Sequence, residues 1–210
     1  MGFNVKSLDF NIILNIFELV FIFLSILPQI LVFAISLVFI ALDLQLDKYG
    51  VVQTFLILPL SFVILPYLFL VKSGEEINLK NIGIRNFTSK TICIFSLLII
   101  LITAVIYSLG KWDYSIIFFA LQTLVVSISE ELWARGMLIN ELKKSKFSQI
   151  ICVLVSSLIF AFITHQNRPV YENLTNRFPF AIIMGLIYYR TQKIELPILI
   201  HFANNMIGGI

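Results

Sequence analysis

The chain has 210 residues, of which 59% are hydrophobic and 13% charged, and twenty are phenylalanine. Soluble proteins run at about 45–50% and about 25%; with a mean hydropathy of +0.97, a soluble domain, a disordered chain and a disulfide scaffold are all excluded. The net charge of +3 gathers no basic and aromatic cluster of the kind that marks a nucleic-acid binder.

A membrane-spanning helix needs about 20 apolar residues. Seven stretches qualify as candidates, at 12–42, 50–71, 91–109, 115–137, 149–165, 178–190 and 196–210. The first is too long for one upright span and too short for two, which predicts a single helix that is tilted or kinked at Pro28. Its length also excludes a cleavable signal peptide. Glu18 lies within it and reads as a snorkelling side chain. The polar segment 72–90 carries Ile77, Leu79, Ile82 and Ile84, which predicts a short surface-lying piece. Trp112, Tyr114, Tyr188 and Tyr189 fall near span ends as interface anchors. The sixth span is short and is expected to begin in the preceding loop. Cys93 and Cys152 sit inside apolar runs and read as small hydrophobic residues. Asn86-Phe-Thr88 and Asn173-Leu-Thr175 match the glycosylation tripeptide by composition alone.

Seven spans divide the cations unequally. Lys6, Lys72, Lys80, Arg85, Lys90, Lys143, Lys144, Lys146, Arg190 and Lys193 fall on one side, and Lys48, Lys111, Arg168 and Arg177 on the other. The positive-inside rule then predicts a cytoplasmic N-terminus. The fold class expected is all-α, a polytopic transmembrane helical bundle of about seven spans.

Ionisable groups are costly within a bilayer, so those present are functional suspects. The fourth span holds Glu130, Glu131 and Arg135. Glu131 and Arg135 stand at i, i+4 with the acid first, the favourable order for a helical ion pair, and are read as structural glue. Glu130 lies about 100° round the helix without that partner, where a carboxylate suits general acid–base work. The two histidines are His165, at the end of the fifth span, and His201, early in the seventh. Asn205 shares a helical face with His201. Three separate helices thus contribute to one interior polar site. The bland alternatives are an interfacial His165 and interhelical hydrogen bonds from His201 and Asn205. Rise per residue puts Glu130 about 10–14 Å and His201 about 8–10 Å from the cytoplasmic ends of their spans, but His165 beyond about 20 Å, so by this count they are not level.

The arrangement resembles the CPBP family of intramembrane proteases, which includes CAAX endopeptidases and bacteriocin-processing or self-immunity proteins. The family's EExxxR motif corresponds to Glu130-Glu131-Leu132-Trp133-Ala134-Arg135, followed by Gly136. Its HxxxN motif corresponds to His201-Phe202-Ala203-Asn204-Asn205. Its middle motif is FxxxH, and here the sequence departs: Ala161 stands four residues before His165, with Phe160 and Phe162 on either side. The resemblance divides the chain into N-terminal transmembrane helices over 1–110 and a CPBP-like catalytic core over 111–210.

By resemblance, Glu130 is the catalytic carboxylate, His165 helps it activate water, and His201 with Asn205 stabilises the oxyanion, while Glu131 and Arg135 support them. The family has also been described as metal-dependent. In that version Glu130, His165 and His201 hold zinc with one position open for water, and Glu131 serves as base. The expected activity is an intramembrane endopeptidase acting on a membrane-associated peptide or protein that enters near the cytoplasmic side. The low Ala and Gly content, with many Ile, Lys, Asn and Phe, resembles a bacterium of AT-rich genome, so the expected location is the bacterial cell membrane. That favours bacteriocin immunity or peptide maturation over CAAX processing. The alternatives are a non-enzymatic scaffold or immunity protein that retains the motif, and a small proton-coupled transporter.

Overall fold

The computed structural model describes residues 5–41, 50–72, 80–84, 89–108, 114–144, 147–166 and 168–208. Among these residues it is all-α, with seven helices: α1 (Val5–Ala41), α2 (Gln53–Lys72), α3 (Ser89–Ser108), α4 (114–144), α5 (Gln149–Thr164), α6 (170–191) and α7 (Glu195–Gly208). Val20–Phe39, Gln53–Lys72 and Ile116–Lys144 are long and apolar enough to cross a membrane; α5 is apolar but shorter. The protein is an integral membrane helical bundle. α6 begins at Val170, in the loop before the sixth apolar stretch, as expected. α4 runs on to Lys144, seven residues past the apolar stretch that announced it, because Ile139 and Leu142 keep its core face apolar and buried.

Pro28 lies inside α1. Proline has no N–H, so the carbonyl four residues earlier loses its helical donor. That carbonyl belongs to Leu24, and the indole Nε1–H of Trp133 on α4 donates to it at 3.0 Å. Trp133 is wholly buried and meets Phe62 of α2 edge to face, with ring centroids 5.2 Å apart. One aromatic side chain therefore ties α1, α2 and α4 together.

α5 starts at Ser148, whose hydroxyl accepts the Ile151 N–H, an N-cap. It packs closely on α6 because Gly185 leaves room: a Cβ there would stand 2.9 Å from Val153 Cγ1. Small residues let helices approach in this way in membranes. α6 ends at Gln192, in the left-handed region at φ 54°, and the short turn after it leads into α7. Phe202 and Met206 of α7 pack against Ile116, Phe119, Ala120 and Leu124 of α4.

Residues 80–84 depart from the surface-lying expectation. Ile82 is 3% exposed and joins the main core with Trp133, Leu138 and Tyr188. Gly83, at φ 89°, makes the sharp turn and accepts the Ile194 N–H. Nothing but glycine fits there, since a Cβ would meet the Tyr188 ring at 2.7 Å. Ile77 and Leu79, the Asn86 tripeptide and Trp112 lie outside the described residues, as do the side chains of Glu18 and Tyr114.

Candidate active site

Glu130 and Glu131 end the regular stretch Tyr114–Glu131, and the next seven residues, Leu132–Leu138, form π-helical turns. Bonds from i to i+5 widen the helix and loosen its carbonyls, and such bulges recur at functional sites. The Ala134 carbonyl in this stretch accepts the Ser156 hydroxyl of α5 at 2.7 Å. All seven residues are buried, so this stretch is the centre of the bundle.

Glu131 divides its two oxygens. Oε2 lies 3.1 Å from Arg135 Nε, the ion pair expected from the spacing. Oε1 lies 2.9 Å from His201 Nδ1, a contact no sequence spacing announces. A carboxylate only accepts, so Nδ1–H donates and the ring is turned with Nε2 towards Glu130. Glu131 is thus a positioning residue for His201 as well as the partner of Arg135.

Glu130 Oε2 stands 3.8 Å from His201 Nε2 and 3.9 Å from His165 Nε2. These separations are too long for direct hydrogen bonds, and of the length one water bridges. Glu130 Oε2 is buried with no hydrogen-bond partner among the described residues. The three side chains are therefore level. The depth count misplaced them for two reasons. α4 extends to Lys144, which moves Glu130 further from that end. α7 starts below the surface, with Ile194 and Glu195 buried under residues 80–84.

His165 follows the π-helical turns Ile159–Thr164. Its carbonyl accepts Asn173 Nδ2 at 2.9 Å, and Asn173 Oδ1 accepts Arg177 Nη1 at 3.1 Å. Asn173 is buried, which removes it as a glycosylation acceptor and makes it the brace for the end of α5. Phe160 lies among the charged groups. Its ring is edge to face with His165 at 5.2 Å and with His201 at 5.9 Å, and the Arg135 guanidinium carbon stands 4.8 Å from its centroid. Phe180 meets His201 at 6.0 Å from the other side. Apolar walls of this kind strengthen every electrostatic interaction inside them.

A cavity of about 820 Å³ has Glu130, His165 and His201 in its lining, together with Asn205. Asn205 is half-buried and faces the same space from one turn further along α7. The motif positions do not announce Arg168, Glu172, Asn176, Arg177 and Asn204, which complete the polar lining. An apolar hollow of about 440 Å³ between α1 and α2, bounded by Phe23, Leu27 and Phe69, has no ionisable side chain in its lining. Among the described residues no three His, Cys, Asp or Glu side chains are disposed to hold a metal ion. In the metal-dependent version Glu130, His165 and His201 are the side chains that would hold a zinc ion, with Glu130 Oε2 at 3.8 and 3.9 Å from the Nε2 atoms of His201 and His165, and no step below runs through a metal.

No curated protein and no solved structure matches the chain. Residues 112–207 match the family model described as Rce1-like, type II CAAX prenyl endopeptidase Rce1-like, a family of proteases. The matched segment holds every residue of the site, and over it the likeness to the CPBP and CAAX protease family read from the motifs is shown.

Proposed function

We propose that the protein is an intramembrane endopeptidase in which Glu130 activates water against a peptide bond. The observation that supports this most is the approach of two imidazole Nε2 atoms to the unpartnered Oε2 of Glu130, at 3.8 and 3.9 Å, in the wall of a polar cavity. Lipid supplies no nucleophile, so hydrolysis within a bilayer requires such a cavity. A water held between Glu130 and His165 gives its proton to Glu130 Oε2 as its oxygen attacks the carbonyl carbon. The carbonyl oxygen becomes an oxyanion, and the Asn205 amide N–H, with the Nε2–H of a doubly protonated His201, faces it as a preorganised donor. Glu130 then returns the proton to the departing amine, and the C–N bond breaks. Phe160 and Phe180 exclude bulk water from the imidazoles, and Glu131 holds His201 in its orientation. The substrate is a membrane-associated peptide or protein, and the biological setting is bacteriocin immunity or peptide maturation.

The test is Glu130→Gln. It keeps size and most hydrogen-bonding capacity but cannot accept the proton, and loss of a general base costs about 10²–10⁴-fold in rate. The expected protein is folded, with the wild-type melting temperature in detergent, and inactive in peptide cleavage. Near-normal function of both Glu130→Gln and His201→Ala would instead mark a scaffold.

A further inference from the structure

The cavity that holds Glu130 is closed at one end of the bundle and open at the other. At the closed end, residues 80–84 lie across α4, α6 and α7. The Ile82 carbonyl oxygen stands 2.8 Å from where a Cβ on Gly136 would sit, Asn140 Nδ2 donates to the Asn81 carbonyl, and the Gly83 carbonyl accepts the Ile194 N–H at 3.2 Å. Beneath this plug Leu132–Leu138 are buried. Among the described residues, these buried side chains separate Glu130 from that end.

The same end carries most of the cations. Lys143 Nζ lies 4.5 Å from the Tyr189 ring centroid and 2.8 Å from Gln192 Oε1, which fixes the ends of α4 and α6 together. Lys144, Arg190 and Lys193 belong to these same ends, and Lys72, Lys80 and Lys90 flank the plug in sequence. At the opposite end α5 finishes, α6 begins and α7 finishes. There the cavity lining continues through Arg168, Glu172, Asn176 and Asn204, all exposed or half-buried. Lys and Arg crowd the cytoplasmic side of a membrane protein, and the plugged end is the crowded one.

We propose that the cavity opens on the extracytoplasmic face. Its substrate is then a peptide segment met outside the cytoplasmic membrane, on an exported or external polypeptide. This reverses the entry side expected from helix depths, which set Glu130 too close to the cytoplasm by ending α4 early. The word substrate rests on the peptidase reading above; the position of the mouth does not.

Single cysteines decide it, placed in the full-length protein with Cys93→Ala and Cys152→Ala. Tyr171→Cys marks the open end beside the cavity, Asn204→Cys marks its lining, and Lys193→Cys marks the plugged end; Val170→Cys and Thr191→Cys stand in for either marker that fails to accumulate. A charged, membrane-impermeant thiol reagent is applied to intact bacteria and to inverted membrane vesicles. Labelling of Tyr171→Cys and Asn204→Cys in intact cells, with Lys193→Cys labelled only in inverted vesicles, is the expected result. The reverse pattern, labelling of Asn204→Cys from the vesicle side alone, or no labelling of Asn204→Cys from either side overturns the proposal. The same measurement in a Glu130→Gln background keeps the two readings apart, because labelling requires no catalysis: a failed peptidase reading leaves this pattern intact.

Discussion

Phe160 stands five residues before His165, and its ring meets the imidazole edge to face at 5.2 Å. On a regular helix, residues three and four apart share a face, and the family's FxxxH spacing is of that kind. Here the stretch Ile159–Thr164 is π-helical, and its i to i+5 bonds add one residue to the turn. The aromatic displaced by one in sequence returns to the same face in space. Ala161, at the motif position itself, is buried with no exposure and has no room for a ring.

This predicts the outcome of exchanging the two. Phe160→Ala removes a buried ring that touches three polar groups, and such truncations cost about 3–5 kcal/mol. Phe160→Ala combined with Ala161→Phe restores the motif as written, yet the melting temperature in detergent should fall below that of Phe160→Ala alone. Recovery of stability and activity by the double variant would show that the helix takes a regular register here.

The contrast between what was legible and what was not follows from the range of each signal. Seven apolar stretches, the Glu131–Arg135 pair and the polar identities of Glu130, His165 and His201 are local or compositional, and hydrophobicity alone places them on helices. The His201–Glu131 contact joins residues 70 apart in sequence, and no periodicity carries it. The π-helical turns came unannounced because they come from packing: Leu132–Leu138 is buried on every side, and its freed carbonyls are satisfied by neighbours such as Ser156. Ile82 reads as surface-lying in the sequence because apolar residues in a polar segment look the same whether they lie on the surface or plug a core.

Trp133 and Leu24 yield a second prediction. The Leu24 carbonyl needs the indole N–H only because Pro28 offers none. Trp133→Phe should destabilise the protein, with about 1 kcal/mol of the loss due to the hydrogen bond, a usual value for one between membrane helices. Pro28→Ala supplies a backbone N–H to Leu24, so Trp133→Phe in that background should cost less by about the same amount. A melting-temperature cycle over the four proteins measures the difference. Strict additivity would remove the proline from the explanation.

Gly136 bears on the plug. A methyl group there meets the Ile82 carbonyl at 2.8 Å, which is backbone and cannot swing aside, whereas Gly208 has nothing within 4 Å of the same position. Gly136→Ala should lower the melting temperature by overpacking, at about 1–3 kcal/mol, and Gly208→Ala should leave it unchanged. Equal melting temperatures for the two variants would mean that residues 80–84 do not press on α4.

Glu131 joins the stability of the bundle to the orientation of the site, and the two effects separate by combination. Arg135→Ala leaves Glu131 buried with only His201 as partner. Breaking a buried pair in this way costs about 3–5 kcal/mol, so the yield of folded protein should fall. Glu131→Gln with Arg135→Ala removes both charges, and neutral replacement of a buried pair is often close to harmless. The double variant should therefore regain much of the lost stability. It should not regain activity. The amide that Glu131→Gln introduces still accepts from His201 Nδ1 but carries no charge to hold the ring against Glu130. Partners that fix the orientation of a metal-bound imidazole are worth about 10–100-fold in activity, and a loss of that order is the expected outcome here. The loss is expected in kcat with KM unchanged, since Glu131 is fully buried and is not in the cavity lining. If activity returns together with stability in the double variant, Glu131 serves the fold alone and His201 is oriented by its packing against Phe160 and Phe180.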